Sequence, residues 1–169
     1  MKNKMIAVGL VLILSACAST RELAPTFDTN FKADTAKLTF YSPNFSAIHM
    51  PPLINSFAYI DTYIFSEFCG DGSKPVSKSS VNKENRSQDS LLPTGKVVAH
   101  IGYNATGAGG LTGESFYVMN INAGEHYKVT LTEARPLVTS YSVKIVKMDG
   151  DKVLPLEVLN FDRKKDVCK

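Results

Sequence analysis

Histidine is scarce in this chain: His49, His100 and His126 are the only three in 169 residues. No two of them stand at the spacing of metal ligands, and no cysteine or carboxylate cluster makes up the deficit, so no metal site is assigned. The glycine-rich stretch "GYNATGAGGLTGES" (102–115) lacks the Lys-Ser/Thr and the helix start that a phosphate loop needs, and it has no βαβ setting for a dinucleotide. It reads as a long mobile loop. Ser115 lacks the Gly-X-Ser-X-Gly elbow of a serine hydrolase, and Asp61, Glu67, Glu114, Glu125 and Glu133 are spaced as ordinary surface charges. A catalytic set and a cofactor site are therefore not assigned either. Hydrophobic runs are short as well: the longest, Met5 to Leu14, falls well below the roughly 20 apolar residues of a membrane-spanning helix.

What that run does resemble is a secretory signal. Lys2 and Lys4 precede it, and Ser15 and Ala16 follow it. The order Leu14-Ser15-Ala16-Cys17 resembles the lipobox of bacterial lipoproteins, which implies a diacylglyceryl group on the Cys17 thiol and cleavage before it. Each buried methylene contributes about 0.8 kcal/mol, so one acyl chain anchors marginally while two or three anchor firmly. Cys17 is then a lipid tether, and Ala18 after it, in place of an aspartate, points to the outer membrane, with the domain in the periplasm or at the cell surface. Loss of Lys2 and Lys4 with the signal leaves seventeen basic residues against sixteen acidic ones. No basic stripe of the nucleic-acid-binding kind is present, and "DRKKD" at 162–166 is mixed in sign. With Cys17 lipidated, Cys69 and Cys168 are left as an even pair in an oxidising compartment. A bond between them would close a loop of about 100 residues and contribute about 4 to 5 kcal/mol in the chain-entropy model.

Three segments follow: a signal over 1–16, a lipidated N-terminus and polar linker over 17–35, and one domain over 36–169. Seven β-type runs fill the domain: 36–41, 56–65, 96–103, 115–121, 126–132, 140–148 and 152–159. In "HYKVTLT" the apolar Tyr127, Val129 and Leu131 alternate with polar neighbours, as a half-buried strand requires. Tyr59, Asp61 and Tyr63 share one side of their run, which accounts for the aspartate as an outer-face residue. Asp149-Gly150 marks a hairpin turn, and Pro155 places the last run at an edge or interrupts it. The pattern predicts an all-β, antiparallel β-sandwich. Tyr127, after the turn in "NINAGEHYKV", is either the tyrosine corner of a Greek-key sandwich or a plain strand tyrosine. "SKSSVNKENRSQDS" (77–90) reads as a disordered polar loop, and "IHMPPLINSF" (48–57) as a proline-containing connector packed across the core.

The segments "YIFSEFCGDG", "LPTGKVVAHIGY", "INAGEHYKVTL" and "SYSVKIVKMDG" together resemble a group of small bacterial outer-membrane lipoproteins. The resemblance implies an immunoglobulin-like or transthyretin-like sandwich and supplies no activity. Other members often carry cysteines where this chain has Ser115 and Tyr141. The expected role is a non-enzymatic binding or structural module of the envelope, touching membrane lipid through its anchor and an envelope protein through its domain. The rivals are an envelope hydrolase with a loop-built site and the lipoprotein anchor of a secretion apparatus.

Overall fold

The structure, a computed structural model, describes residues 25–30, 34–45, 56–69, 72–105, 111–133 and 141–160. Cys17, His49, Cys168, the signal segment and most of the proline connector lie outside them. Eleven strands run in chain order: β1 (Thr26–Phe27), β2 (Thr35–Tyr41), β3 (Ser56–Ile64), β4 (Ser77–Val81), β5 (Ser87–Pro93), β6 (Gly95–Ala105), β7 (Leu111–Ile121), β8 (His126–Glu133), β9 (Tyr141–Asp149), β10 (Lys152–Leu154) and β11 (Val158–Asn160). A 3-10 turn, Phe65–Glu67, follows β3. Among the described residues no helix is long and apolar enough to cross a membrane.

The strands form two sheets, one of six strands in the order β1-β4-β3-β6-β7-β11 and one of five in the order β10-β9-β8-β2-β5. One face of each turns toward the other. Leu38, Phe40, Leu92, Tyr127, Val129 and Leu131 from the five-stranded sheet and Ile60, Val81, Val97, Ile101, Met119 and Ile121 from the six-stranded sheet make one continuous core. The all-β sandwich expected from the alternating runs is the observed fold. Its pairing is antiparallel throughout except between β2 and β8, which run parallel. A hairpin can only join antiparallel neighbours, so this pair is made by strands far apart in sequence.

Glycine makes two short turns possible, one where the chain changes sheet and one inside a hairpin of a single sheet. Gly124, at φ +72°, lies between β7 and β8, and its N–H donates to the Thr35 carbonyl at 2.9 Å. Gly150, at φ +56°, sits in the two-residue turn that pairs Asp149 with Lys152. Pro155 does interrupt the last run: β10 pairs with β9 in one sheet and β11 with β7 in the other, so the chain crosses the edge of the sandwich there.

Three stretches differ from the sequence reading. The polar segment 77–90 is no disordered loop, since it supplies β4 and most of β5. Its strands escape a search for apolar alternation because serine and glutamine occupy their buried positions. Gln88 Oε1 accepts from Ser79 Oγ at 2.8 Å and from the Ser80 N–H at 2.7 Å, while Ser77 Oγ donates to the Leu91 carbonyl at 2.6 Å. Internal hydrogen bonds replace the apolar contacts a core normally requires. The turn between them is tied by Asn82 Oδ1, which accepts from the N–H groups of Glu84 and Asn85. The glycine-rich stretch is mostly strand as well, because β6 extends to Ala105 and β7 begins at Leu111. In the linker, Thr26 and Phe27 pair with Lys78 and Ser77 of β4, so the sheet extends into residues read as tether.

Candidate functional site

Strand alternation puts Phe57, Tyr59, Asp61 and Tyr63 of β3 on the outer side of the six-stranded sheet, away from the core. Register then lays β4, β6 and β7 beside them. Asp61 is opposite Lys78 on one side and His100 on the other, His100 is opposite Phe116, and Tyr59 and Glu114 both flank Gly102. A half-buried outer face with this content departs from the usual polar exterior of a sandwich. Phe68, Val98 and Val118 form a second, smaller apolar cluster there, with Tyr63, Phe65 and Phe116 packed against it. The 3-10 turn brings Phe65 and Phe68 down onto the sheet, and Lys96 Nζ sits 3.8 Å from the centre of the Phe65 ring.

At the centre of this face three polar groups from three strands converge. His100 Nε2 lies 3.3 Å from the Tyr59 hydroxyl and 3.0 Å from Glu114 Oε2. An ionised carboxylate can only accept, so Nε2 carries the proton that Glu114 receives. The rings are placed with equal definition: His100 stacks on Phe116 at 4.3 Å and 9°, and Tyr59 meets His100 edge-on at 5.2 Å and 89°. Gly102 makes this possible. A Cβ there would lie 2.2 Å from Tyr59 Cζ, so the phenol end of the ring occupies the place where any other residue keeps a side chain. Glu114 is half exposed, and Asp61, on the outer face as expected, is only 8% exposed under its aromatic neighbours.

The five-stranded sheet carries the opposite kind of outer face. Thr39 Oγ1 donates to Asp89 Oδ1 at 2.6 Å and lies 2.8 Å from His126 Nε2. With the one hydroxyl proton given to Asp89, the histidine is the donor. That order is the reverse of an activated hydroxyl nucleophile, whose histidine must accept. Lys37 pairs with Asp89 at 2.8 Å, both side chains being more than half exposed, and Lys128 lies over the Tyr41 ring at 5.1 Å. The Lys37 ammonium first, then the Thr39 hydroxyl, hold the Asp89 carboxyl below its ordinary value.

Between the sheets, Tyr127 shows the corner geometry. Its ring is buried, the Asn122 N–H donates to its hydroxyl at 3.1 Å, and that hydroxyl donates to Glu125 Oε2 at 2.5 Å. Burial, reinforced by the Glu125 carboxylate, pushes the phenol up to about 12. Glu125 was expected as a plain surface charge, yet Lys147, then Tyr127, hold its carboxyl below the usual range. Glu133, read the same way, is buried, with its backbone paired to the Asn44 side chain.

Cys69 directly follows Phe68 and is exposed; its N–H donates to Ser73 Oγ at 2.6 Å. Cys17 and Cys168, the other two cysteines, both lie outside the described residues. Ser115 and Tyr141 touch one another, with 3.2 Å between their hydroxyl oxygens. Among the described residues no group of three or more His, Cys, Asp or Glu could hold a metal ion. The grouping of Tyr59, His100 and Glu114 was not foreseen. The signal for it was present in strands apolar on both sides: "SFAYIDTYIF" places aromatic residues on Asp61's side, and "SFYVMNI" places Phe116 and Val118 on one side and Met119 and Ile121's side on the other.

No family model matches this chain, and no curated protein matches it. A solved structure from Bacteroides eggerthii, described as "a putative cell adhesion protein", superposes with a TM-score of 0.35 at 13% identity, over 67% of this chain and 55% of that one. This chain thus spans about half the length of that neighbour.

Proposed function

We propose that this chain is a lipid-anchored binding module of the cell envelope, held at the outer membrane through Cys17 and presenting the outer face of its six-stranded sheet to a ligand in the periplasm. The lipobox-like Leu14-Ser15-Ala16-Cys17 supports the anchor. The observation that carries the binding role is the convergence of Tyr59, His100 and Glu114 beside the stacked Phe116, on a face the main core does not need. Polar atoms few in number and fixed in position, set among ring surfaces, are what a recognition site consists of. The proton order supports binding over chemistry: Nε2 of His100 already donates to Glu114, and His126 donates to Thr39. A bond between Cys69 and Cys168 belongs to the same proposal, since it would fix the 3-10 turn that carries Phe65 and Phe68.

Two measurements in intact cells test the proposal. Cys17→Ser should move the protein from membrane to soluble fractions and abolish lipid labelling. A photo-crosslinking residue at Leu159, 56% exposed beside Val118 on the same face, should trap an envelope component, whereas one at Lys144 on the opposite sheet should not. Equal trapping from both faces, or from neither, argues against the assignment.

A further inference from the structure

The chemistry of the outer face restricts what it can hold. Its most apolar members are spent within the protein: Phe57, Phe68, Val98 and Val118 are all buried. Of the large apolar residues that stay exposed, Leu159 alone lies on this face among the described residues. A protein-protein interface draws much of its affinity from apolar area removed from water, and little such area remains here. The accessible groups are amphipathic instead. Tyr59, Tyr63, His100 and Phe116 are partly exposed rings, and the polar atoms between them are a phenol hydroxyl, an imidazole N–H and a carboxylate.

Charge is balanced across the same surface. On β3, β4, β6 and β7 the described charged side chains that face outward are Lys78 and Lys96 against Asp61 and Glu114, with Asp61 opposite Lys78 and next to His100. An anionic polymer would meet the two carboxylates and a cationic one the two ammonium groups, so an ion of either sign gains little. The ligand that complements such a face is itself uncharged and carries many groups able to both donate and accept.

We infer that this face binds a neutral carbohydrate chain, one sugar ring packing its C–H face on the Tyr59 ring with its edge against Phe116, while its hydroxyls bond to Glu114 and the Tyr59 oxygen. The inference rests on the binding-module reading above and names its ligand class. Sugar hydroxyls suit the proton pattern found here, because each can donate to the Glu114 carboxylate and accept from the Tyr59 hydroxyl. The placement of Tyr59 over Gly102 adds specificity: the ring is fixed low on the sheet beside two upright stacked rings, which leaves a step rather than a flat surface.

The experiment uses the mature full-length protein in mild detergent, run by affinity electrophoresis and calorimetry against neutral polysaccharides (a β-1,4-glucan, an α-glucan, a galactan) and charged controls (polygalacturonate, chitosan). Binding to at least one neutral polymer is expected and to neither charged one. Glu114→Gln and Tyr59→Phe, which preserve size, should each weaken that binding about tenfold, the size of one charge-assisted or buried hydrogen bond. Phe116→Ala should abolish it, with circular dichroism confirming that each variant is folded. Gly102→Ala, which drives a methyl into the phenol end of Tyr59, should weaken binding by displacing that ring while leaving every proposed ligand-bonding residue in the sequence. Absence of binding to every neutral polymer overturns the inference, as does binding that survives Tyr59→Phe and Glu114→Gln unchanged. A protein trapped from Leu159 together with no polysaccharide binding would sink the carbohydrate while leaving the binding module standing; silence in both assays would sink both.

Discussion

The two outer faces of this sandwich differ in how deep their side chains sit. On the five-stranded sheet Lys37 and Asp89 meet as a salt bridge more than half exposed, and water competes with every contact they make. On the six-stranded sheet the equivalent positions hold Val98, fully buried, and Asp61, nearly so, beneath a layer of aromatic rings and the 3-10 turn. One face is a solvated surface, the other a second core with a polar rim. The same strand geometry produced both, so the difference lies in residue choice at alternate positions, and a face built at the cost of solubility invites a functional explanation.

The largest expected consequence is in stability. Phe116→Ala removes a partly buried ring that stacks on His100 and faces Phe68 at 5.9 Å, and should cost about 2 to 3 kcal/mol, somewhat under the loss for a fully buried phenylalanine. Lys128→Ala on the other sheet loses only a lysine held over Tyr41 and should stay within about 0.5 kcal/mol. Urea unfolding of the two variants measures the contrast. Equal losses would mean that the aromatic layer is not a packed cluster.

That contrast was only half legible in the sequence. The inner face was readable because Tyr127, Val129 and Leu131 alternate with polar residues, and the interruption at Pro155 was readable because proline cannot donate to a ladder. Tyr127 itself could be marked as a possible corner, but only the Asn122 N–H on its hydroxyl decides between corner and plain strand residue. The strands at 77–81 and 87–93 were hidden because their buried positions are satisfied by Gln88 and serine hydroxyls, a pairing between different sheets that no local pattern encodes. For the same reason His100 stood in the sequence as one of three scattered histidines. Its partners Tyr59 and Glu114 are 41 and 14 residues away and meet it only through strand register.

A smaller effect sharpens the view that the aromatic layer depends on a glycine. Gly102→Ala places a methyl 2.2 Å from Tyr59 Cζ, but the obstacle is the far end of a side chain that can swing outward. The cost should be about 1 kcal/mol, at the low end for overpacking, and mostly the lost edge-on contact with His100. In a Tyr59→Ala background the same substitution should cost nothing, since the clash is gone and alanine suits a strand better than glycine. A penalty that persists without Tyr59 would place the strain in the backbone instead.

The smallest effect belongs to the polar face, and pH isolates it. Asp89 has its carboxyl lowered in the folded protein by Lys37 and then Thr39, from an ordinary value of 3.8. A depressed carboxyl contributes stability that is present above the unfolded value and is lost as pH falls through the folded one. Asp89→Asn should therefore lower stability slightly at pH 7, within about 0.5 kcal/mol for so exposed a pair, and the gap to the parent protein should close as the pH drops below that of an ordinary aspartate. Added salt should close the same gap at neutral pH by screening the Lys37 interaction, while leaving the loss from Phe116→Ala in place, because ring packing carries no charge to screen. If salt diminished both losses alike, the aromatic face would owe its stability to the charges around it, and the distinction between a solvated face and a second core would fail.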